Sequence, residues 1–301
     1  MAYFSAMNFD PIHFLQREGV LAGAEETRAE VLAGGFWNDV LRVRGDGVDL
    51  VVKHFGERST GWSLFPIVPE CEARAMELLK GRAIAPDFVG FWPASSGHGA
   101  VLVYQFVPGT TWNGDPAEAA RVLRRAHGIK ADGFRVMPAT AAELLADADR
   151  LVAPGDDDPL WHRLQKLRPV VAVGQVEVCR TFVHGDFNSG NMISGDEGAR
   201  IIDWQCPGLG DPAEDLWSFL SPAFQAVYGL TPWLPGEIAS FCDAYGDDAT
   251  VERLGRLTPY FAYRYAKYCI TRARDLATGD PTSAKRYLDA ALAGIASMEE
   301  T

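Results

Sequence analysis

Acidic and amide side chains stand at fixed spacings in the middle of the chain. Asp186 follows a short apolar run, Asn191 follows Asp186 by five residues, and Asp203, after a second apolar run, follows Asn191 by twelve. The apolar runs predict two strands that each lead to an acidic residue. Carboxylate and amide oxygens bind Mg²⁺ and a carboxylate can accept a proton, so this set could carry out phosphoryl transfer from a magnesium nucleotide.

The spacing of these residues is more specific than their types. In a catalytic loop of the kinase type, an Asp accepts the proton of the acceptor hydroxyl, and an Asn five residues later binds Mg²⁺. Each piece has an ordinary alternative: His184-Gly185-Asp186 alone would be a turn, and an Asp after two isoleucines would cap a strand. In this order and at this spacing, the pieces predict Asp186 as the catalytic base and Asn191 and Asp203 as metal ligands.

The motifs HGDxxxxN at 184–191, IIDW at 201–204 and PGLGDPAEDL at 207–216 resemble those of the aminoglycoside phosphotransferase and choline kinase superfamily. The match runs from about Leu32 to Leu220. The resemblance implies an α+β, two-lobed protein-kinase-like fold, with a small antiparallel-sheet lobe that carries one main helix and a larger, mainly helical lobe. We expect residues 1–106 to form the nucleotide-binding lobe and residues 107–301 the catalytic and acceptor-binding lobe.

The N-terminal lobe offers a lysine for the nucleotide phosphates. Lys53 ends an apolar strand over 49–55, which after a hairpin resembles the kinase lysine that contacts the α- and β-phosphates. Its expected partner is a Glu on the helix predicted over 70–79. Glu72 is the first candidate, and Glu70 is the reserve.

Two further segments are expected at the nucleotide. Gly34, Gly35 and Asn38 fit a shortened glycine loop of the family, although a plain hairpin turn explains the two glycines as well. The resemblance also places a hinge after the fifth strand of the first sheet. Main-chain groups from Gln105 to Val107 would then bind the adenine edge.

Several residues near the motifs have predicted structural roles. The resemblance implies that His184 braces the backbone of the catalytic loop. His127 is expected to be structural rather than catalytic, and Asp215 a buried hydrogen-bond acceptor near the loop. Asp211 is expected to cap a helix that has Pro212 at its first position. C-terminal helices are predicted over 216–227, 235–245, 251–257, 259–276 and 282–298.

Composition sets the class of protein. The chain has 301 residues, of which 48% are hydrophobic and 23% charged, as in a globular protein large enough for two lobes. No apolar run reaches the length of a membrane span, and no signal peptide is recognised at residues 1–10, so we expect a cytoplasmic protein without a membrane partner. Five scattered cysteines without a CxxC pair indicate neither a zinc site nor a disulfide framework.

The net charge of −12 makes nucleic acid an unfavourable partner, because phosphate binding requires clustered Lys and Arg. It is compatible with a cationic acceptor such as an amine. The sequence leaves the oligomeric state open.

Together these features predict an ATP-dependent or GTP-dependent, Mg²⁺-requiring phosphotransferase that acts on a hydroxyl of a small molecule. Only eleven residues separate Asp203 from Asp215, and no Ala-Pro-Glu follows. A protein kinase has a long activation segment there, so this short segment disfavours a peptide acceptor and therefore a protein kinase. Choline, ethanolamine, aminoglycosides, thiamine and sugar or amino-alcohol acceptors all fit the motifs. The alternative is a catalytically idle nucleotide-binding or scaffold protein of the same fold.

Overall fold

The computed structural model describes residues 9–22, 26–32, 38–45, 47–56, 64–95, 98–112, 114–151, 158–171 and 179–300. By the contacts within them, the chain divides into two compact units. The first comprises Met1–Thr110 and Gly195–Cys206, and the second comprises Thr111–Ser194 and Pro207–Thr301. The lobes expected at 1–106 and 107–301 stay predictions. By contacts, the first unit also takes in the segment that carries Asp203.

The first unit is built on a five-stranded antiparallel sheet, as the sequence predicts. Its strands lie in the order β1-β2-β3-β5-β4. Their bounds are β1 Arg28–Val31, β2 Asp39–Gly45, β3 Val48–Phe55, β4 Phe88–Trp92 and β5 Ala100–Gln105. The central strand β3 is buried from Leu50 to Lys53, so its apolar residues form the core and its one lysine is carried into it.

Helix α1, Pro11–Arg17, covers one face of this sheet. The Asp10 carboxylate caps it by accepting hydrogen bonds from two backbone N–H groups, and Pro11 opens the first turn. Leu15 and Phe14 on this helix are buried. Ile12 and Val20 are partly buried and pack against this core.

Helix α2, Pro69–Leu79, runs close to the predicted bounds 70–79 and buries the apolar residues Ala75, Met76 and Leu79. Glu72 is buried with them. An acidic residue on the apolar face of a helix requires a partner, because burying an unpaired charge is costly.

The remaining strands are short. Their bounds are β6 Thr110–Thr111, β7 Thr181–Val183, β8 Met192–Gly195, β9 Gly198–Ile201 and β10 Gly208–Gly210. In the second unit, β7 pairs with β10 in antiparallel register. In the first unit, the N–H of Ile201 at the end of β9 donates to the Ile84 carbonyl at 2.7 Å, which fixes the strand that leads to Asp203.

The second unit is mainly helical. Its helices are α3 Pro116–His127, α4 Ala141–Asp149, α5 Pro159–Lys166, α6 Ala213–Leu220, α7 Pro222–Tyr228, α8 Pro235–Tyr245, α9 Asp248–Leu276 and α10 Pro281–Glu299. Within the ranges given above, no helix combines the length and the apolar character that a membrane crossing requires.

Two predicted helix boundaries are wrong. The helix expected over 216–227 is two helices, because Ser221 is extended and Pro222 begins α7. The break expected before Pro259 is absent, and α9 continues through the proline. Pro259 sits between Leu257 and Phe261, which are both fully buried. Burial of this face offsets a proline cost of about 3 kcal/mol.

An aromatic stack forms the core beside the catalytic-loop segment of the second unit. Phe219 stacks on Phe241, Phe187 and Trp233, with ring centroids 4.8, 5.2 and 5.3 Å apart. Phe187 directly follows Asp186 in the sequence, so the loop is anchored to α6 and α8 through this stack.

We therefore predict that Phe241→Ala lowers the free energy of unfolding by about 3–5 kcal/mol, because it leaves a cavity in a fully buried stack. Denaturant unfolding followed by fluorescence and circular dichroism measures the change. Leu234→Ala, at a side chain that is 66% exposed just before the same helix, is the control and should change stability by about 0.5 kcal/mol or less. Equal effects of the two substitutions would contradict the importance of the stack.

Candidate active site

Lys53 lies at the centre of a charged cluster in the first unit. Its Nζ is 2.8 Å from both carboxylate oxygens of Glu72 and 2.5 Å from Oδ1 of Asp203. The ion pair expected between Lys53 and Glu72 is thus present, with Glu72 rather than the exposed Glu70 as the partner. What the three residues do toward a nucleotide remains a prediction.

The three members of this cluster differ in their exposure. The side chains of Lys53 and Glu72 are 3% and 2% exposed, whereas that of Asp203 is 34% exposed. Glu72 therefore anchors the ammonium group from the protein interior, and Asp203 presents a carboxylate to solvent. Only Asp203 can change partners without a large rearrangement.

The charges in the cluster shift one another's pKa values. Burial alone would lower the pKa of Lys53, but Asp203 and Glu72 outweigh burial and raise it, so the amine stays protonated. Burial raises the pKa of Glu72 above its ordinary value, although Lys53 opposes this. A single ammonium group therefore balances two carboxylates.

Backbone geometry directs the Asp203 side chain. Asp203 has φ +60°, in the left-handed region, which Asp tolerates better than most residues. The following residue, Trp204, is fully buried and donates from Nε1 to the Ile201 carbonyl at 2.9 Å. The end of β9 is thus folded back on itself, and the carboxylate is held at the turn.

The other residues predicted at the nucleotide have varied surroundings. Asn38 is buried, and its Nδ2 donates to Oε1 of Gln205 at 3.4 Å. Gly34 and Gly35 lie outside the described residues, so the glycine-loop prediction has no structural counterpart to compare. At the predicted hinge, the N–H of Gln105 donates to the Asp87 carbonyl at 2.8 Å.

The neighbouring N–H of Phe106 donates to the Asp49 carbonyl at 2.9 Å. Both hydrogen bonds continue the pairing of β5 with its two neighbouring strands at the end of β5. Main-chain binding of an adenine edge between Gln105 and Val107 stays a prediction.

In the second unit, a buried carboxylate holds the catalytic-loop backbone. Asp215 accepts hydrogen bonds from the N–H groups of His184 at 2.7 Å and of Gly185 at 2.9 Å. The prediction that Asp215 is a buried acceptor near the loop is confirmed. Asp211 contributes nearby: its Oδ1 accepts from the Ala213 N–H as a cap does, although α6 begins at Ala213 rather than at Pro212.

Asp215 is itself held by a histidine and a tyrosine. Oδ2 of Asp215 lies 3.0 Å from Nε2 of His127, whose Nδ1 lies 2.8 Å from the Tyr245 hydroxyl. His127 is buried on α3, so the prediction of a structural role fits its surroundings. Burial would raise the pKa of Asp215, but the hydrogen bond and charge of His127 and the loop N–H groups lower it below the ordinary 3.8.

The sign of this shift gives the pH dependence of stability. A carboxylate with a lowered folded-state pKa stabilises the protein fully above its unfolded pKa. This contribution is lost only as the pH falls through the lower, folded-state pKa. The loop anchor is therefore complete at neutral pH and weakens only in strong acid.

Asp186 and Asn191 lie together in the loop. Nδ2 of Asn191 donates to the Asp186 carbonyl at 2.9 Å and approaches its Oδ2 at 3.4 Å. The N–H of Asp186 donates to Nδ1 of His184 at 3.2 Å, in agreement with the bracing role expected for that histidine. Because the amide nitrogen of Asn191 faces Asp186, its Oδ1 is the atom available to a cation.

The two residues predicted as metal ligands each carry an oxygen of a kind that Mg²⁺ accepts. In the described chain, no group of three or more His, Cys, Asp or Glu side chains has metal-binding geometry. Mg²⁺ is usually held by one or two protein oxygens together with substrate phosphates and water. Oδ1 of Asn191 and the partly exposed carboxylate of Asp203 are oxygens of this kind.

The sequence analysis missed Asn188 and Tyr228. Nδ2 of Asn188 donates to the Asp186 carbonyl at 3.0 Å and to Oδ1 of Asp186 at 3.3 Å, although only 3% of Asn188 is exposed. Asn188 lies inside the HGDxxxxN motif, so its position in the sequence could have indicated a contact with Asp186. Tyr228 accepts from the same nitrogen, and nothing in the sequence connects it with the loop.

Comparison with known proteins agrees with this fold. The sequence profile of the phosphotransferase enzyme family matches residues 28–260. A choline/ethanolamine kinase family protein from Mesorhizobium loti has 21% identity and a TM-score of 0.67, with 96% of this chain and 95% of that chain covered. Comparison with curated protein sequences finds no match.

Two further solved structures share the fold. The choline kinase of Cryptosporidium parvum has 10% identity and a TM-score of 0.64, covering 96% and 94% of the two chains. A spectinomycin phosphotransferase in complex with ADP and spectinomycin has 17% identity and a TM-score of 0.59, covering 91% and 93%. At these identities the likeness shows the fold, and the predicted α+β class is confirmed.

We predict that Asp215→Asn loosens the loop. The substituted amide keeps the shape of the side chain but replaces one acceptor oxygen by a donor that faces other donors. Stability should fall by about 3 kcal/mol, and amide hydrogen exchange at His184 and Gly185 should accelerate. Asp243→Asn, at an exposed position of α8, is the matched control. Unchanged exchange at the two loop amides would contradict the anchoring role.

Proposed function

The chain belongs to the phosphotransferase enzyme family, and we propose that it is a small-molecule kinase that moves the γ-phosphate of ATP to a hydroxyl group of its acceptor. GTP is the alternative donor. The observation that carries the proposal is the cluster in which Lys53 is held by buried Glu72 and by the partly exposed Asp203. A solved structure of the same fold contains ADP, which supports a nucleotide as the donor.

Lys53 is the group proposed to bind the α- and β-phosphates. Its ammonium group is fixed from one side by Glu72, so little side-chain freedom remains to be lost when an anion binds. The first part of the chain, residues 1–106, is accordingly proposed as the nucleotide-binding lobe. The N–H of Val107 and the main chain of Gln105 are proposed at the adenine, and Gly34, Gly35 and Asn38 at the phosphates.

Asn191 and Asp203 are the residues proposed to hold Mg²⁺. When bound, the ion neutralises charge on the phosphates and fixes their geometry. Asn191 would contribute its Oδ1, because its nitrogen is engaged by Asp186, and Asp203 would contribute the carboxylate that solvent reaches. Lys53 would remain paired with Glu72 after Asp203 turns to the ion.

Asp186 is proposed as the base. Its carboxylate orients the acceptor hydroxyl and accepts its proton while the oxygen attacks the γ-phosphorus. The bond from that phosphorus to the bridging oxygen breaks, and the nucleoside diphosphate leaves with the electron pair. Because such transition states are loose, orientation of the hydroxyl contributes more than basicity. The amides of Asn188 and Asn191 would hold the Asp186 carboxylate in place for this, through contacts of 3.3 and 3.4 Å to its two oxygens.

The acceptor is proposed to be an amino-alcohol, an aminoglycoside or a similar small molecule that binds to residues 107–301. The net charge of −12 favours a cationic acceptor through long-range attraction. A solved structure of the same fold is a spectinomycin phosphotransferase in complex with spectinomycin, which supports a small molecule as the acceptor.

A coupled assay for nucleotide turnover with Mg²⁺ tests the proposal against amino-alcohols, aminoglycosides, thiamine and simple sugars. We expect one class to stimulate turnover. Asp186→Ala should reduce kcat by about 10²-fold or more while nucleotide affinity stays nearly unchanged. Asp203→Ala should instead weaken binding of the Mg²⁺ nucleotide.

Near-normal turnover by Asp186→Ala would refute its role as the base. Nucleotide binding without stimulation by any acceptor would favour the idle nucleotide-binding alternative. Failure to bind any nucleotide would overturn the proposal as a whole.

Glu72→Gln tests the lysine anchor separately. The substitution keeps the shape of the side chain but removes its charge, so Lys53 should shift toward Asp203 and meet the phosphates less well. We expect nucleotide affinity, measured by calorimetry, to fall about tenfold, as for the loss of one charged hydrogen bond. Glu70→Gln, on the exposed side of the same helix, should leave the affinity unchanged. Equal affinities of the two variants would contradict the role of the pair.

A further inference from the structure

Tyr228 is the last residue of α7 and lies against the catalytic loop. Its side chain is 42% exposed, and Gly229 ends the helix with φ +68°. The ring packs on the backbone of Gly190, where an added Cβ would come within 3.3 Å of the ring carbon Cε1. The glycine therefore allows the ring to approach the loop closely.

One amide group connects this tyrosine with Asp186. Nδ2 of Asn188 donates to the Tyr228 hydroxyl at 3.2 Å, to the Asp186 carbonyl at 3.0 Å and to Oδ1 of Asp186 at 3.3 Å. The N–H of Gly190 donates to Oδ1 of Asn188 at 2.9 Å. This bond fixes which end of the amide is oxygen, so its nitrogen must face Asp186 and Tyr228.

The Asn188 amide has fewer hydrogens than it has acceptors, so the Tyr228 hydroxyl affects its orientation. The nitrogen of Asn188 carries two hydrogens and faces three acceptor atoms, two of them on Asp186. The Tyr228 hydroxyl draws one hydrogen outward, and so sets the tilt of the amide plane relative to the Asp186 carboxylate. Because Asn188 is buried, bulk water cannot simply replace the Tyr228 hydroxyl as its acceptor, and losing that hydroxyl has a free-energy cost.

Helix α7 is a rigid support for that hydroxyl. Phe224, one turn before Tyr228, stacks on Tyr265 of α9 with ring centroids 4.1 Å apart. Ser221 caps the start of the helix through its side chain. The position of the hydroxyl is therefore set by the helical core and not by the loop itself.

We propose that Tyr228 is a positioning residue for the phosphoryl transfer, and that it orients the Asp186 carboxylate through the amide of Asn188. The inference rests on the proposed function, in which Asp186 receives the proton of the acceptor. Because orientation of the hydroxyl limits the reaction, the loss of the Tyr228 hydroxyl slows turnover and leaves binding of both substrates intact.

Tyr228→Phe tests this proposal, because it removes one oxygen and keeps the ring on Gly190. We expect kcat to fall about fivefold, while the KM values for acceptor and nucleotide change by less than about twofold. Tyr260→Phe is the matched control: its hydroxyl donates to the Val170 carbonyl and should be dispensable for turnover. Equal kcat values of the two variants would overturn the proposal.

A double substitution tests the route through Asn188. If Tyr228 acts only through that amide, Tyr228→Phe should cause no further loss of kcat in an Asn188→Ala background. Effects that multiply would overturn the route. Thermal unfolding of each variant identifies a loss of kcat that arises from misfolding.

A measurement without turnover separates this inference from the proposed function. The side-chain amide resonances of Asn188 should shift in Tyr228→Phe and stay in place in Tyr260→Phe, and their failure to shift would overturn the inference alone. A wild-type protein that binds nucleotide but transfers no phosphate would overturn the proposed function, and the catalytic role of Tyr228 with it.

Discussion

The backbone of the predicted catalytic loop is held by hydrogen bonds to the buried carboxylate of Asp215. This carboxylate has no exposed surface, yet it accepts two backbone hydrogen bonds and contacts a buried histidine, so the cost of removing its charge from water is offset locally. Because the N–H groups of His184 and Gly185 both donate to this carboxylate, the backbone orientation at these two residues is fixed. The direction of the following Asp186 is set by this constraint.

The charged cluster of the first unit differs from Asp215 in the balance of its charges. Asp215 has all its partners and stays fixed, whereas the Lys53 cluster contains two carboxylates for one ammonium group. Glu72 is fully enclosed and keeps the lysine in place, while Asp203 is in part open to solvent. An excess of negative charge beside solvent attracts a cation, and a protonated lysine beside it attracts phosphate. In the proposed function, Asp203 is the member of this cluster that would change partner when a nucleotide binds.

The sequence predicted those parts of the structure that local patterns encode. The apolar run over 49–55 predicted β3, and the helix expected over 70–79 is α2. The Lys53–Glu72 contact followed from the family resemblance, because no periodicity relates a strand to a helix nineteen residues away. Pro259 misled the prediction, since a local breaker was outweighed by the burial of residues on both sides. The contact of Tyr228 with Asn188 could not be predicted from the sequence, because tertiary packing brings together two residues that are forty positions apart.

The loop at 184–191 and the exposed surface beyond Tyr228 are held in different ways. Asp186, Asn188 and Asn191 are fixed by hydrogen bonds inside one short loop, so a substitution at one of them disturbs the others. Beyond Tyr228 the chain exposes Leu230 and Leu234, while Trp233 between them is tied to the Phe219 carbonyl through Nε1. The side chains of this segment can therefore change without moving its backbone, whereas the Tyr228 hydroxyl cannot be lost without releasing the Asn188 amide. The Asn188–Tyr228 hydrogen bond is the contact through which helix α7 and the exposed segment after it constrain the loop.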